Sequence, residues 1–168
     1  MKKLLIVYTG NGEGKTSAAF GHVVRALGHN KKCIVIKFLK KRKSGEDFLQ
    51  EAFPELVKIY HFGRESFVKK ASKKDRELAR NALCFAEEIC KKEKPFLLVL
   101  DEINVAISLG LLSESEVVEF LEKIKAKVVI VTGRGRCKRI EKLANIVTEM
   151  REVKHDFPKR KATKGVEY

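Results

Sequence analysis

The sequence predicts an α/β fold, a three-layer sandwich around a mainly parallel sheet. Three observations carry this. Apolar runs rich in Val, Ile and Leu recur without alternation at 4–8, 33–39, 57–62, 96–100 and 128–132, as in strands buried on both faces. Between several of these runs lie segments whose apolar residues recur at helical steps of three and four. A glycine-rich stretch, YTGNGEGKTS (8–17), directly follows the first run, the placement of a strand-to-helix phosphate loop. Strand and helix in alternation give parallel sheets with right-handed crossovers.

The first run, LLIVY (4–8), follows two lysines. It is shorter than the ~7–15 residues of a secretory core and reads as a buried strand. A helix from about residue 15 carries Ala19, Phe20, Val23, Val24 and Leu27 on one stripe, with Gly28 closing it. CIVIKFL (33–39) is the second strand, followed by an irregular charged segment, 40–55, a candidate ligand cover. VKIYHF (57–62) is the third. A long helix over 72–92 stripes Leu78, Ala82, Phe85, Ala86 and Ile89 before the strand FLLVL (96–100). Ser113-x-x-Glu116 is a capping box opening EVVEFLEKI. After VVIVT (128–132), residues 137–145 allow one more short helix before IVTEM. The tail from Arg151, basic and containing Pro158 and Gly165, reads as a loop. With no repeat and no linker, the expectation is one nucleotide-binding domain over 1–168, with 151–168 as its basic tail.

Composition limits the function classes. With 44% hydrophobic and 35% charged residues, the chain reads as soluble, globular and cytoplasmic. No apolar run approaches the ~18–20 residues of a membrane span. Cys33, Cys84, Cys90 and Cys137 form no CxxC pair and have no histidines at zinc spacing, so they read as reduced, buried thiols. The net charge of +14 favours polyanionic partners: nucleotides, nucleic acid or anionic surfaces. Lys40–Lys43 lacks the interleaved aromatics of a nucleic-acid stacking platform. His22, His29 and His61 have no partner legible in the sequence and read as structural.

The glycine stretch departs from the Walker A spelling, which places a glycine five residues before the GK pair. That position is Thr9, and the glycine comes one residue late, at Gly10. Gly10, Gly12 and Gly14 let successive N–H groups converge on phosphate oxygens, and the helix that follows adds its positive end. Lys15 would neutralise phosphate charge, and the Thr16 hydroxyl suits a magnesium ion. FLLVLDEIN (96–104) is an apolar strand ending in acid, the Walker B arrangement that supports the metal; Asp101 and Glu102 are both available. Loop and acidic strand together are the P-loop NTPase arrangement, RecA-like in type. In VVIVTGRGR (128–136), Thr132, Gly133 and Arg134 stand at a strand's carboxyl end, where ligands bind in open α/β sheets. Arg134 has bidentate reach to phosphate; Arg136, Lys138 and Arg139 read as solvated charge.

These motifs together resemble the P-loop-type corrinoid adenosyltransferases, the ATP:cob(I)alamin and cob(I)yrinic acid a,c-diamide family. TGNGEGKTSAAFG (9–21) is similar to that family's TGNGKGKTTAAFG, displaced glycine included. VIKFLKKRKSGE (35–46), LDEINVAISLGLL (100–112), VTGR (131–134), VTEMREVKH (147–155) and ATKGVEY (162–168) continue the likeness in order along nearly the whole chain. The resemblance implies transfer of the 5′-deoxyadenosyl group of ATP to the cobalt(I) of a corrinoid, with triphosphate as leaving group, in adenosylcobalamin synthesis or salvage. It implies that Thr9, Gly10, Asn11, Gly12, Glu13, Gly14, Lys15, Thr16, Ser17 and Arg134 hold ATP, lying in reverse sense along the loop. Lys15, Thr16 and Glu102 would carry the chemistry. Thr16, Asp101 and Glu102 would hold Mg2+ (or Mn2+). The corrinoid would lie on the loop side under the 40–70 region, near Phe67 and His155. A flavoprotein reductant and a homodimer are further implications; a membrane or nucleic-acid partner is not.

The chain departs from the family in four places. HFGRESFVKK (61–70) keeps Phe67 but has Lys69 where the family's aromatic pair has tryptophan, and the chain has no tryptophan. The proline that usually follows TGR is replaced, and a helical extension before the first strand is not expected. Glu13 stands where the family commonly has lysine, so its side chain must turn from the phosphates or meet a cation. Two other functions stay open at this level. One is a nucleic-acid-stimulated P-loop ATPase, whose binding would fall steeply with salt. The other is a regulator that binds nucleotide or corrinoid without turnover.

Overall fold

The computed structural model describes residues 3–64, 71–156, 159–166 and 168. Six strands form one sheet: β1 (Leu4–Thr9), β2 (Cys33–Lys40), β3 (Val57–Arg64), β4 (Leu97–Asp101), β5 (Val128–Thr132) and β6 (Ile146–Glu149). Every pairing is parallel, in the order β3-β2-β4-β5-β1-β6. β5 thus lies between the strand that leads into the glycine loop and the strand that ends in acid. The helices are α1 (Lys15–Leu27), α2 (Leu49–Ala52), α3 (Lys73–Glu93), α4 (Ile103–Ser108), α5 (Glu114–Lys123) and α6 (Lys138–Leu143), with a 3₁₀ turn at Gly45–Phe48.

Because successive strand residues point to opposite faces, the sheet divides its apolar side chains between two cores. On one side Ile6, Val35, Val99 and Ile130 pack against Ala19, Phe20, Val23, Ala26 and Leu27 of α1. On the other, Leu5, Val7, Ile36, Leu98, Leu100, Val129 and Val131 pack against α3, α4, α5 and α6. This is the three-layer arrangement. β4 is buried throughout, and β1, β2 and β5 are buried except for one or two half-buried residues each, as continuous apolar runs require. β6 differs: all four of its residues are exposed, so its backbone ladder with β1 and not side-chain burial holds it.

α1, α3, α5 and α6 lie where the sequence predicts helices, with corrections in their faces, and α4 is a helix the sequence pattern does not predict. In α1, Val24 is exposed and Ala26 takes the buried place, because the stripe turns with the 3.6-residue period. Gly28 is the C-cap of α1 as expected, with φ −57°; the left-handed residue after it is Asn30 (φ 52°). α3 buries Ala79, Ala82, Ala86 and Cys90, small residues that let it approach the sheet closely. Phe85 packs beside them, its ring centroid 4.6 Å from that of Tyr60 and 5.4 Å from that of Phe62. The Ser113 capping box forms as expected: Glu116 N–H donates to Ser113 Oγ at 3.1 Å, and Ser113 N–H donates to Glu116 Oε2 at 2.8 Å.

The 40–55 segment, read as irregular, contains the 3₁₀ turn and α2. Cys33, Cys90 and Cys137 are buried free thiols, and burial raises them to about 12, about 12 and about 11. Cys84 is free but exposed, against the expectation of four buried thiols. Among the described residues no helix is long and apolar enough to cross a membrane.

Candidate functional site

The parallel sheet brings the carboxyl ends of β1, β4 and β5 to one edge, and the predicted chemistry collects there. Gly14, with φ 100°, is the N-cap of α1, and no side chain caps the helix. The first-turn N–H groups therefore lack an internal acceptor, as a phosphate-binding helix start requires. Lys15 is buried, and its Nζ donates to the Gly12 carbonyl at 2.6 Å. Burial lowers its pKa first of all; the Glu102 charge opposes that shift and the Arg134 charge adds to it.

Thr16 Oγ1 donates to Asp101 Oδ1 at 3.0 Å and joins the loop to the end of β4. Thr132 Oγ1, at the end of the intervening β5, donates to the same oxygen at 2.7 Å. The Thr132 hydroxyl also accepts the Glu102 N–H at 2.9 Å. Asp101 is buried, and desolvation raises its pKa against the pull of Thr132, Lys37 and Thr16. Glu102 occupies the left-handed region (φ 65°) as the N-cap of α4. Burial, then the neighbouring Asp101 charge, pushes its pKa up to about 7, while Lys15, Arg134 and Lys40 oppose the rise.

The chemistry of this donor set suits a hard metal ion. Hydroxyl and carboxylate oxygens are hard donors, and magnesium usually takes one or two protein carboxylates with the rest from phosphate and water. Asp101 and Glu102 supply that number, and among the described residues no group of three His, Cys, Asp or Glu side chains forms an all-protein cage. The residues fit the ion.

Other predicted residues fall as follows. Asn11, Glu13, Gly14 and Ser17 are exposed along the loop, while Gly12 is buried. Thr9 is buried, and its hydroxyl donates to the Gly135 carbonyl at 2.8 Å, which ties the loop to the turn after β5. Arg134 is exposed, and its charge acts on both Lys15 and Glu102. Glu13 does meet a cation-forming group: its Oε1 lies 3.3 Å from His155 Nε2. Phe67 lies outside the described residues. A cavity of about 720 Å³ at the start of α3 is lined by Ser72, Lys73, Arg76, Arg80 and their neighbours; none of the residues assigned to nucleotide or metal lines it.

Sequence reading missed a second polar cluster beside the first. Lys37, 1% exposed within β2, is the register partner of both Asp101 and His61. Its Nζ lies 2.9 Å from Asp47 Oδ2, 2.7 Å from Glu46 Oε1 and 5.3 Å from the centre of the Phe20 ring. His61, read as unpartnered, places Nε2 2.7 Å from Asp47 Oδ1; His22 likewise lies 2.8 Å from the Tyr8 hydroxyl. Desolvation works against the Glu46 and Asp47 charges, yet Lys37 and the Ser44 hydrogen bonds hold both carboxyls below their usual values. A signal was present: Ser44-x-x-Asp47 has the capping-box spelling, and Ser44 N–H donates to Asp47 Oδ2 at 2.8 Å.

Comparison with known proteins is consistent along the whole chain. Residues 1–168 match the family described as ATP:corrinoid adenosyltransferase BtuR/CobO/CobP. A corrinoid adenosyltransferase of Pseudomonas aeruginosa is 39% identical over 170 residues, covering 98% of this chain and 83% of the relative. One from Escherichia coli K12 is 35% identical over 168 residues, covering 98% and 85%. Among solved structures, a KaiC-like protein from Pyrococcus horikoshii superposes with a TM-score of 0.59 at 21% identity, over 88% of this chain and 72% of that one. That likeness shows the fold alone.

Proposed function

This chain belongs to the ATP:corrinoid adenosyltransferase family, and on that premise we propose which of its residues perform the transfer of an adenosyl group from ATP to a corrinoid. The observation that supports the assignment most is the Thr16–Asp101 hydrogen bond of 3.0 Å. It places the phosphate loop, the helix start and the acidic strand end within one contact.

The nucleophile is the substrate's own cobalt(I). Its electron pair forms the bond to the ribose 5′-carbon, and the C5′–O bond breaks with its pair left on triphosphate. The protein therefore needs no nucleophile of its own; its work is to orient ATP and to stabilise charge gathering on the leaving group. The N–H groups of the loop and first turn of α1 bind the triphosphate. Lys15 exchanges the Gly12 carbonyl for phosphate oxygens and neutralises the departing charge. Arg134 adds positive potential at the same edge.

Thr16, Asp101 and Glu102 would hold Mg2+ (or Mn2+), which when bound supplies positive charge beside the triphosphate. Thr132 holds the Asp101 carboxylate and the Glu102 backbone N–H. The corrinoid lies on the loop side near His155 and the 40–70 region. Its reduction to cobalt(I) requires a reductant, for which a flavoprotein is the fitting class, and the working form is a homodimer.

The test is anaerobic incubation of the protein with chemically reduced cobalamin, ATP and magnesium. The expected result is the adenosylcobalamin spectrum with stoichiometric triphosphate. ATP cleaved to diphosphate or phosphate with no cobalt–carbon product would overturn the assignment.

A further inference from the structure

We infer that Met150, where the chain leaves β6, is a positioning residue of the phosphate loop; the inference rests on the reading that Gly10–Thr16 bind the triphosphate. β6 buries none of its four side chains, so the strand contributes little to either core. What it delivers is Met150, which meets the loop at four places. Its N–H donates to the Thr9 carbonyl at 2.8 Å, and its carbonyl accepts the Gly12 N–H at 2.8 Å. A Cβ on Gly10 would stand 2.2 Å from the Met150 carbonyl oxygen, and one on Gly14 would stand 3.4 Å from its Sδ. The chain then continues past Gly12, where a Cβ would come within 2.8 Å of the Arg151 carbonyl carbon.

Two consequences follow for phosphate binding. The late glycine, Gly10, is required by this backbone contact as well as by its φ of 97°. The Gly12 N–H already has an acceptor, so the phosphate donors are the N–H groups that follow it in the chain. Met150 also holds Gly12 through its N–H, and the Gly12 carbonyl, in the next peptide group, is where Lys15 Nζ rests. The position of that ammonium is thereby linked to β6. The backbone contacts are available to any residue. The thioether is specific to Met150, and it supports Gly14, the hinge between loop and helix. Methionine fills such an irregular space, and leucine is its nearest apolar replacement in volume.

The test uses Met150→Ala and Met150→Leu in the full chain, with magnesium–ATP binding by calorimetry, KM for each substrate, and Tm. Alanine is expected to weaken ATP binding about fivefold or more while KM for the corrinoid stays within about twofold. Tm should hold, and leucine should return ATP binding to within about twofold of the wild type. If the wild type binds ATP and Met150→Ala binds it equally well, the inference fails alone. It also fails if alanine raises both KM values alike with a lower Tm, since that marks a structural role only. A wild-type chain that binds no ATP overturns the phosphate-loop reading and this inference with it.

Discussion

The Thr132 hydroxyl donates to Asp101 Oδ1 at 2.7 Å while accepting the Glu102 N–H at 2.9 Å. One side chain on β5 thus holds the Asp101 carboxylate and the Glu102 backbone where β4 ends. Thr132 is fully buried, so Thr132→Val keeps its shape and leaves a buried N–H and carboxylate short of a partner. The expected loss is about 1–3 kcal/mol in urea unfolding, with KM for Mg2+ raised about tenfold. Unchanged magnesium dependence would place the metal away from Asp101.

Lys15 rests on the Gly12 carbonyl, and burial already works against its charge. Lys15→Ala should leave stability within about 1 kcal/mol, since the ammonium gains little in the folded state. Adenosyl transfer should fall about 100-fold or more, because the charge that meets the leaving triphosphate is gone. Steady-state rates of the alanine and arginine variants check this. Arginine should not restore the rate, its planar fork being a poor substitute for a compact ammonium.

Glu102 gives a pH signature. Its folded pKa, about 7, lies above the ordinary 4.5, so the folded chain holds this proton where the unfolded chain has released it. That stabilising difference is present at acid pH and is lost as pH rises through the folded value. Glu102→Gln removes the buried charge. Without ATP or metal it should be more stable than the wild type by about 1–2 kcal/mol near pH 8, with the gap closing towards pH 5. Magnesium needs the ionised carboxylate, so wild-type Mg2+ affinity should rise between about pH 6 and 8 and that of Glu102→Gln should stay low. Denaturant unfolding and metal titration across that range decide both.

Lys37 is the buried cation between Asp47, Glu46 and the Asp101 side of the site. Lys37→Met strands carboxylates in a poorly solvated place and should cost about 3–5 kcal/mol. Lys37→Met with Asp47→Leu should recover part of that loss, since an apolar pair replaces a broken ionic one. Urea unfolding of the two variants separates a buried pair from a surface one, for which both changes would be nearly neutral.

Much of the fold and site is legible along the sequence, and the particular residues show why. The loop, the Ser113 capping box and the apolar runs of β1, β2, β4 and β5 depend on residues adjacent in the chain, whose geometry repeats wherever that spelling occurs. The same locality made Lys15, Thr16, Asp101 and Glu102 readable as candidates. Gly28 caps α1 as its position predicts, while the left-handed turn falls to Asn30, since several residues are able to reverse the chain after a helix. Val24 misled because a stripe drawn from sequence has no fixed edge until a sheet lies against it.

The sequence by itself determined the glycine-rich strand-to-helix loop, the acidic strand end and the alternation of strand with helix, since each is written in neighbouring residues. Only the tertiary structure decided that β5 stands between β1 and β4, so that Thr132 reaches Asp101. Packing also set Met150 against Gly10 and enclosed Lys37 with Asp47 and His61. Those contacts join residues far apart in the chain. Strand order and register create them, and these follow from how whole faces bury apolar surface together, which no single stretch of sequence specifies.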